Sequence, residues 1–305
     1  MNCPLCSTKE NLLIKRTALS DLRAQWLSAF GFDPFPNDYS YDYIEKKKCI
    51  SCHLEYFVPA LYGDMDFYSR ISKNSWYYEE SKWEFELAAN IVAQLKPKDL
   101  LEIGCGKGFF LDKVSSLGIN VEGIDINRDA VASCKAKGLK VEGADVFNIK
   151  KSYDMVVLFQ VLEHMEHVKE MFDFLTTKLV KPNGYIIIAV PNSDGVLKEI
   201  DINLLDMPPH HNSGWGFPTF EHLHSQFGLQ LVEYKKEALR YVHYLGFLNN
   251  TISDHAKLTA PSRKTRAFFR MQSLIVRLLA PLTYLRDRGQ IDGQTHLVVL
   301  KNVRQ

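Results

Sequence analysis

The sequence has almost no excess of charge of either sign, because 37 Lys and Arg residues face 36 Asp and Glu residues in a chain of 305. A net charge of +1 argues against nucleic acid as a partner of the whole chain, so any basic site has to be local. Long apolar runs are also missing: MQSLIVRLLAPLTYL, the nearest to a membrane span, is interrupted by Gln272, Arg277 and Pro281. The first residues, MNCPLCSTKENLLIK, lack the continuous apolar stretch of a secretory signal. We therefore expect a cytosolic protein.

Cysteine is scarce, with six residues, but four of them form two regularly spaced pairs. Cys3 and Cys6 stand in CPLC, and Cys49 and Cys52 stand in CISC. In a reducing compartment such pairs indicate a metal site before they indicate disulfides, and four thiolates are the usual ligands of structural zinc. Two alternatives stay open: two reduced hairpins without a metal, and a site in which His53 replaces one sulfur.

The chain divides into a leader and a larger domain. Residues 1–78 hold both cysteine pairs, many aromatic residues and one helical pattern, LSDLRAQWLSAFG. In residues 79–305, strand and helix patterns alternate up to residue 192, and the strand patterns are DLLEIGC, NVEGIDI, KVEGADV, YDMVVLF and YIIIAVPN. Such alternation predicts right-handed crossovers and a doubly wound α/β fold with a mostly parallel sheet.

Three glycines follow the first strand of this domain, in LEIGCGKGF. Gly104, Gly106 and Gly108 let the backbone turn sharply and approach a ligand, which in such sheets binds at the carboxyl ends of the strands. Asp125 ends the next strand, where a carboxylate accepts hydrogen bonds from ribose hydroxyls, and Asp145 ends the third, where it can accept from an adenine amino group. Together they predict an adenosine-containing ligand; a tight turn without a ligand is the alternative for the glycines alone.

The residues around the glycines distinguish two such ligands. A dinucleotide-binding loop, G-x-G-x-x-G, would place its third glycine at position 109, which is Phe109. Glu102, before the loop, is poorly suited to a pyrophosphate but well suited to a ligand that carries a sulfonium and an ammonium. The loop therefore favours S-adenosylmethionine, and a nicotinamide-dependent oxidoreductase is the remote alternative.

The runs LLEIGCGKGFFLDKV, GIDIN, GADVF and FQVLEHMEHV resemble the class I S-adenosylmethionine-dependent methyltransferases, in particular the branch of ubiquinone and small-molecule methyltransferases. The resemblance covers residues 79–192 and implies a Rossmann-like sheet whose last strand, THLVVLKNV, is antiparallel. The cofactor-binding residues that it implies are Glu102, Gly104, Cys105, Gly106, Gly108, Asp125, Ile126, Asp145, Val146 and Gln160. Glu163 and His164 match the family's E-H pair, which either fixes a loop or contacts the substrate.

A loop rich in proline and histidine follows the last central strand, within residues 193–235. Its PPHH run contains His210 and His211, and an imidazole with a pKa near ~6.5 can take a proton from a hydroxyl that attacks the methyl group of the cofactor. Either histidine is therefore a candidate general base, and bracing of the loop is the alternative. Because the sulfonium is already activated, the reaction requires no catalytic metal.

A second resemblance covers most of the chain up to about residue 235. CPLC, KKCISCHLEYFVPA and PPHHNSGW together resemble a bacterial group in which a zinc-binding leader precedes the methyltransferase domain, often in surface-polysaccharide or secondary-metabolite assembly. It implies a small-molecule or glycan acceptor, such as a nucleotide sugar. It also implies that four leader aromatics either line the substrate site or pack the leader onto the domain; these are Tyr68, Trp76, Tyr77 and Tyr78.

The C-terminal region carries a basic amphipathic pattern, predicted as a helical insertion at residues 262–288. We favour a lid over the site or a dimer contact for this helix, with a membrane-surface contact as the alternative. The oligomeric state itself stays open.

Two other functions stay open. The near-neutral charge argues against a zinc-module RNA base methyltransferase, and so does FQVLEH, which stands where an Asn-Pro-Pro-aromatic motif would hold a base. The alternative of another class is a non-catalytic scaffold that retains the fold and binds the S-adenosyl ligand. Intact Glu102, Asp125 and Asp145 argue against a degenerate domain, which would have no need of them all. Methyl transfer to a small molecule or glycan is therefore the leading hypothesis.

Overall fold

The structure is a computed structural model that describes residues 2–36, 39–74, 76–196, 203–248 and 278–304. These residues form a four-stranded sheet, most of it in the leader, and a seven-stranded sheet in the larger domain. Within these ranges, no helix combines the length and the apolar character that a bilayer span requires.

The leader is built on the four-stranded antiparallel sheet. Its elements are β1 (Asn11–Ala18), α1 (Leu19–Phe30), β2 (Tyr43–Cys49), β3 (Glu55–Val58) and α2 (Met65–Ile71). The helix predicted in LSDLRAQWLSAFG is confirmed as α1, which buries Leu22 and Trp26 and ends at Gly31 with a φ of 76°. The strand order is β1-β2-β3-β9, and β9 (Ser213–Gly214) follows the PPHH run of the larger domain. The leader and the predicted substrate loop therefore share one sheet.

The larger domain carries the alternating elements. They are α3 (Trp83–Leu95), β4 (Asp99–Ile103), α4 (Phe109–Ser115), β5 (Asn120–Ile124), α5 (Arg128–Ala136), β6 (Val141–Glu142), β7 (Tyr153–Phe159), α6 (Val168–Phe174), β8 (Val180–Pro191), α7 (Phe217–Phe227), β10 (Leu229–Ala238) and β11 (Asp292–Asn302). The sheet order is β10-β11-β8-β7-β4-β5-β6, with β4 to β8 parallel to one another and β11 antiparallel to both β8 and β10. This confirms the predicted doubly wound, mostly parallel sheet with an antiparallel last strand.

The central strands explain why this sheet forms. Every residue of β4 is buried, as expected for a strand with both faces covered by other elements. The start of α5 follows from Asn127, whose side chain accepts a hydrogen bond from the backbone N–H of Asp129 at 3.0 Å. Because β4, β5 and β7 are parallel, their carboxyl ends open at one edge of the sheet, where ligands bind in such folds.

The chain beyond β10 includes two further helical stretches, residues 241–248 and 278–287. Most of the insertion predicted at residues 262–288 lies outside the described residues. In its last part, Leu278, Leu282 and Leu285 are exposed. The role of this region as a lid, a dimer contact or a membrane contact stays a prediction.

Candidate functional site

A cleft of ≈ 650 Å³ lies at the carboxyl ends of β4, β5 and β7. It is lined by all but one of the predicted cofactor residues: Glu102, Gly104, Cys105, Gly106, Asp125, Ile126, Asp145, Val146 and Gln160. The exception, Gly108, precedes α4 with a φ of 75°. A Cβ on Gly108 would lie 2.6 Å from the Leu139 side chain and 2.9 Å from Cys134 Sγ, so the structure places this glycine against α5 and not in the cleft lining.

The glycine loop needs glycine for two reasons. Gly104 and Gly106 have φ values of 71° and 51°, which L side chains rarely adopt. A Cβ on Gly104 would lie 2.5 Å from the Val161 side chain, and one on Gly106 would lie 2.8 Å from the Tyr78 ring. The backbone of the loop is therefore pressed against its neighbours, and an added side chain would clash at both positions.

Glu102 is the most unusual charged group of the cleft. It is the last residue but one of the buried strand β4, is 2% exposed, and its Oε2 has no hydrogen-bond partner in the described part of the chain. Burial raises the pKa of Glu102 well above its usual range, and the nearby Asp125 carboxylate raises it further. A buried carboxylate is costly unless a positive group pairs with it. This end of the cleft is therefore suited to a cationic group.

Asp125 connects the glycine loop to the next strand. One carboxylate oxygen accepts a hydrogen bond from the Gly106 N–H at 2.7 Å, and the other accepts one from the Asn127 N–H at 2.7 Å. Burial raises the pKa of Asp125, although these two backbone hydrogen bonds favour its charged form. Each oxygen keeps a second lone pair, which is the capacity that the two hydroxyls of a ribose require.

Two further predicted residues follow the third and fourth strands of the alternating pattern. Asp145 caps a short 3₁₀ turn, because its Oδ1 accepts from the Phe147 N–H at 3.0 Å. Gln160 has a φ of 57° and its Nε2 donates to Glu84 Oε1 at 3.2 Å. Ile126, which follows Asp125, is 62% exposed and offers an apolar surface in the cleft.

The PPHH run brings two histidines to a third. The rings of His164, His210 and His211 lie with centroids 4.5–4.8 Å apart, and we call these three residues the histidine cluster. Each Nδ1 has one partner: the carbonyl oxygen of His210 at 2.6 Å for His164, that of Leu205 at 2.8 Å for His210, and Asp206 Oδ1 at 3.1 Å for His211. The structure thus places both predicted base candidates in the cleft lining, beside the histidine of the E-H pair.

Burial dominates the electrostatics of the histidine cluster. It lowers the pKa of His164 to about 3 and that of His210 well below its usual value, with the neighbouring His211 adding to both shifts. Glu163 is fully buried beside them, and burial raises its pKa to about 7. His164 and His210 are therefore neutral at physiological pH, while the Asp206 carboxylate is placed to stabilise a protonated His211.

One wall of the cleft comes from the leader, since its lining includes Tyr68, Trp76, Tyr77 and Tyr78. The ring centroid of Tyr68 lies 5.9 Å from that of His164, and the centroid of Tyr77 lies 6.0 Å from that of His210. The leader aromatics therefore do both things that the sequence left open: they line the cleft and they pack the leader against the larger domain.

Several charged residues of the cleft were not predicted as site residues. Lys82 and Glu84 come from the start of α3, and Glu237 and Arg240 come from the end of β10 and the residues after it. Burial raises the pKa of Glu237 to about 7, and the nearby Glu84 adds to the shift. Their sequence neighbourhoods carry no motif, and the pairing of β10 with β11 brings Glu237 to the cleft.

The four paired cysteines also come together, in the leader. The distance between Cys3 Sγ and Cys52 Sγ is 3.5 Å, and that between Cys6 Sγ and Cys49 Sγ is 3.4 Å. All four are free thiols, and their sulfur atoms lie within 4.8 Å of one another. Thiolates about 2.3 Å from a tetrahedral zinc ion have comparable separations, so this cysteine cluster fits such an ion. Cys105 and Cys134 pack in a separate core cluster, as expected for small apolar side chains.

Two curated methyltransferases are similar to part of this chain. Ubiquinone biosynthesis O-methyltransferase of Rickettsia conorii is 32% identical over 117 residues, which are 36% of this chain and 39% of that protein. The protein of the same name from Pelagibacter ubique is 33% identical over 106 residues, 32% of this chain and 44% of that protein. Each match spans about two-fifths of the length of the curated relative.

A solved structure of a SAM-dependent methyltransferase from Archaeoglobus fulgidus has a TM-score of 0.46 and 20% sequence identity, covering 71% of this chain and 94% of that one. A family described as a methyltransferase domain matches residues 76–234, just over half of the chain and the part that supplies most of the cleft lining. The chain therefore belongs to this family of methyltransferase domains.

Proposed function

We propose that the protein transfers a methyl group from S-adenosylmethionine to a small-molecule or glycan acceptor. The observation that carries this proposal is the buried Glu102 carboxylate, without a hydrogen-bond partner on Oε2 in the described residues, beside a glycine loop held by Asp125. A cationic ligand meets the need of such a carboxylate, and a pyrophosphate does not. When bound, the cofactor supplies a sulfonium methyl group, and the products are S-adenosylhomocysteine, the methylated acceptor and a proton.

Each part of the cofactor has a proposed partner in the cleft. Glu102 and the loop from Gly104 to Gly106 hold the methionine part, because the carboxylate pairs with its ammonium group. Asp125 holds the ribose hydroxyls through its remaining lone pairs. Asp145, with the backbone of Val146, holds the adenine. Gln160 lies beside the cofactor, and the apolar side chain of Ile126 covers the adenine ring.

The acceptor is proposed to lie between the leader aromatics and the histidine cluster. Aromatic rings offer apolar contact area with little loss of side-chain entropy, which suits a sugar or another small cyclic molecule. A nucleotide sugar or a surface-polysaccharide precursor is the acceptor that we would test first. The relatives named as O-methyltransferases support oxygen as the methylated atom.

The histidine cluster is proposed to assist loss of the acceptor's proton. Of the two candidate bases, His211 is the better one, because Asp206 is placed to stabilise its imidazolium form, whereas burial disfavours a charge on His210. Loss of such a base costs about 10²- to 10⁴-fold in rate. His211→Ala is therefore expected to lower turnover by at least ~100-fold while S-adenosylhomocysteine binding stays within a few-fold of wild type.

A zinc ion in the cysteine cluster is proposed to be structural. Four thiolates leave no open coordination position, so the ion stabilises the leader and takes no part in the chemistry. The leader in turn supplies the aromatic wall of the cleft. The cytosolic location, the division at residue 78 and the oligomeric state stay predictions.

Calorimetric titration with S-adenosylhomocysteine tests the proposal, comparing the wild type with Asp125→Ala and Asp125→Asn. Loss of two hydrogen bonds to a charged group, each about 1.5–3 kcal/mol, predicts binding at least ~100-fold weaker in Asp125→Ala. Asp129→Ala, an exposed position on α5, is the matched control and should bind like the wild type. A folded wild type that does not bind the ligand would contradict the methyltransferase proposal.

Turnover is then measured by mass spectrometry, as the gain of one methyl group on nucleotide sugars incubated with S-adenosylmethionine. Ligand binding without turnover on any acceptor would leave the non-catalytic scaffold as the better account. Turnover on an RNA base, with salt-sensitive RNA binding, would instead favour the RNA methyltransferase.

A further inference from the structure

Three imidazoles and one carboxylate meet in the wall of the cleft from two separate stretches of the chain. One ring nitrogen of each residue of the histidine cluster lies within 4.8 Å of those of the other two. Glu163 Oε1 lies 3.9 Å from His164 Nε2 and 4.0 Å from His211 Nε2. Four groups that each offer a lone pair are therefore concentrated in a space of a few ångströms.

The hydrogen bonds of the rings determine where their lone pairs lie. The three Nδ1 atoms face the carbonyl oxygens of His210 and Leu205 and the carboxylate of Asp206. A carbonyl or carboxylate oxygen only accepts, so each Nδ1 carries the hydrogen and each neutral ring keeps its lone pair on Nε2. Histidines that bind metals are held in the same way, with the second ring nitrogen donating to a carbonyl or a carboxylate.

The buried acceptors of this group lack partners within the described ranges. Neither carboxylate oxygen of Glu163 has a hydrogen bond, although the residue is fully buried, and His210 Nε2 is buried and unpaired as well. Buried acceptors left without a donor or a cation cost free energy. Because they lie together, one positive ion would satisfy them at once.

We propose that His164, His210, His211 and Glu163 bind one divalent transition-metal ion. Imidazole ligands favour ions of the Zn²⁺ and Fe²⁺ type, whereas Mg²⁺ and Ca²⁺ prefer oxygen ligands. Ligands about 2.0–2.1 Å from a tetrahedral ion lie about 3.3 Å apart, so binding draws these groups together by about 0.6–1.5 Å. Glu163 supplies the one negative charge of the site.

The position of this site gives the ion a role in the proposed methyl transfer, and that role, unlike the binding, rests on the proposed function. A cation lowers the pKa of a hydroxyl that binds to it. His211 cannot coordinate the ion and accept the acceptor's proton at the same time. In the metal-bound protein the ion therefore replaces His211 in activating the hydroxyl, and the proton passes to water.

The test counts metal ions in the full chain, because the cysteine cluster is expected to hold a zinc ion of its own. Protein dialysed against a chelator is supplied with Zn²⁺, freed of excess and measured by inductively coupled plasma mass spectrometry. We expect two zinc ions per chain in the wild type and one in Glu163→Gln and in His211→Ala, since loss of a ligand weakens binding by at least ~100-fold. His224→Ala, an exposed histidine of α7, is the matched control and should keep two.

X-ray absorption at the zinc edge gives an answer that needs no variant. Two sites predict an average zinc environment with sulfur and nitrogen or oxygen in equal shares, and the cysteine site alone predicts sulfur only. A wild type with one sulfur-bound zinc ion, or with none, would overturn the inference. S-adenosylhomocysteine binding, measured on the same samples, reports the proposed function separately. A wild type that binds this ligand but holds one zinc ion rejects only the histidine site. A wild type that holds two zinc ions but does not bind the ligand rejects only the proposed function.

Discussion

Replacing Glu102 by glutamine removes one charge and almost no volume from the cofactor end of the cleft. Glu102 is 2% exposed and its Oε2 lacks a partner among the described residues. Burial raises its pKa in the folded state above the unfolded value of about 4.3, so the ionised carboxyl destabilises the fold. That cost is absent below the unfolded pKa and grows as the pH rises towards the folded pKa. Without ligand, Glu102→Gln should therefore be about 1–3 kcal/mol more stable than the wild type at pH 8, with a smaller difference at pH 5.

In ligand binding, unlike in stability, the wild type should be favoured over Glu102→Gln. The carboxylate pairs with the ammonium group of the ligand, and a hydrogen bond to a charged group contributes about 1.5–3 kcal/mol. Glu102→Gln should then bind S-adenosylhomocysteine about 10- to 150-fold more weakly. Urea unfolding at both pH values and calorimetric titration measure the two effects, with Glu170→Gln, exposed on α6, as the control. Unchanged affinity, or a loss of stability at pH 8, would refute the reasoning.

Three further predictions concern other parts of the chain. Gly104→Ala should abolish ligand binding and cost more stability in thermal unfolding than Gly118→Ala. Both glycines have a positive φ, but a Cβ at position 118 meets nothing within 4 Å, so equal costs in stability would contradict this. Cys49→Ser should lose the structural zinc and cost about 2 kcal/mol or more, seen as metal loss and a lower melting temperature; a full zinc content would argue against the four-thiolate site. Burial raises the pKa of Glu237 to about 7 in the folded state, above the unfolded value of about 4.3, so its ionisation destabilises the protein increasingly as the pH rises from the unfolded to the folded pKa. Glu237→Gln should therefore gain about 1–3 kcal/mol of stability at pH 8 and little at pH 4.5, and a gain that does not depend on pH would contradict this.

Local patterns in the sequence were sufficient for the sheet and for most of the cofactor end of the cleft. Alternating strand and helix patterns determine a doubly wound sheet, because crossover handedness and helix packing leave few other arrangements. Once the strands are parallel, Glu102, Asp125 and Asp145 have to meet, since all three end strands at the same edge. The cysteine pairs were equally legible, because each pair is set by a short local turn.

The limits of sequence reasoning lie where the site is built from distant loops. Gly108 belongs to the glycine loop in sequence, yet its φ of 75° turns it towards α5, which no local pattern indicates. Glu237 enters the cleft only through the pairing of β10 with β11.

The sequence by itself determined the fold class, the glycine loop and the acidic residues at the strand ends, because these depend on local periodicity and on the strand order that it implies. Only the tertiary structure decided that His164 meets His210 and His211, that Leu205 and Asp206 hold two of the rings, and that Glu163 is buried among them. The reason is physical: burial, ring tautomers and unpaired acceptors arise from contacts between segments far apart in the chain, and such contacts leave no spacing in the sequence.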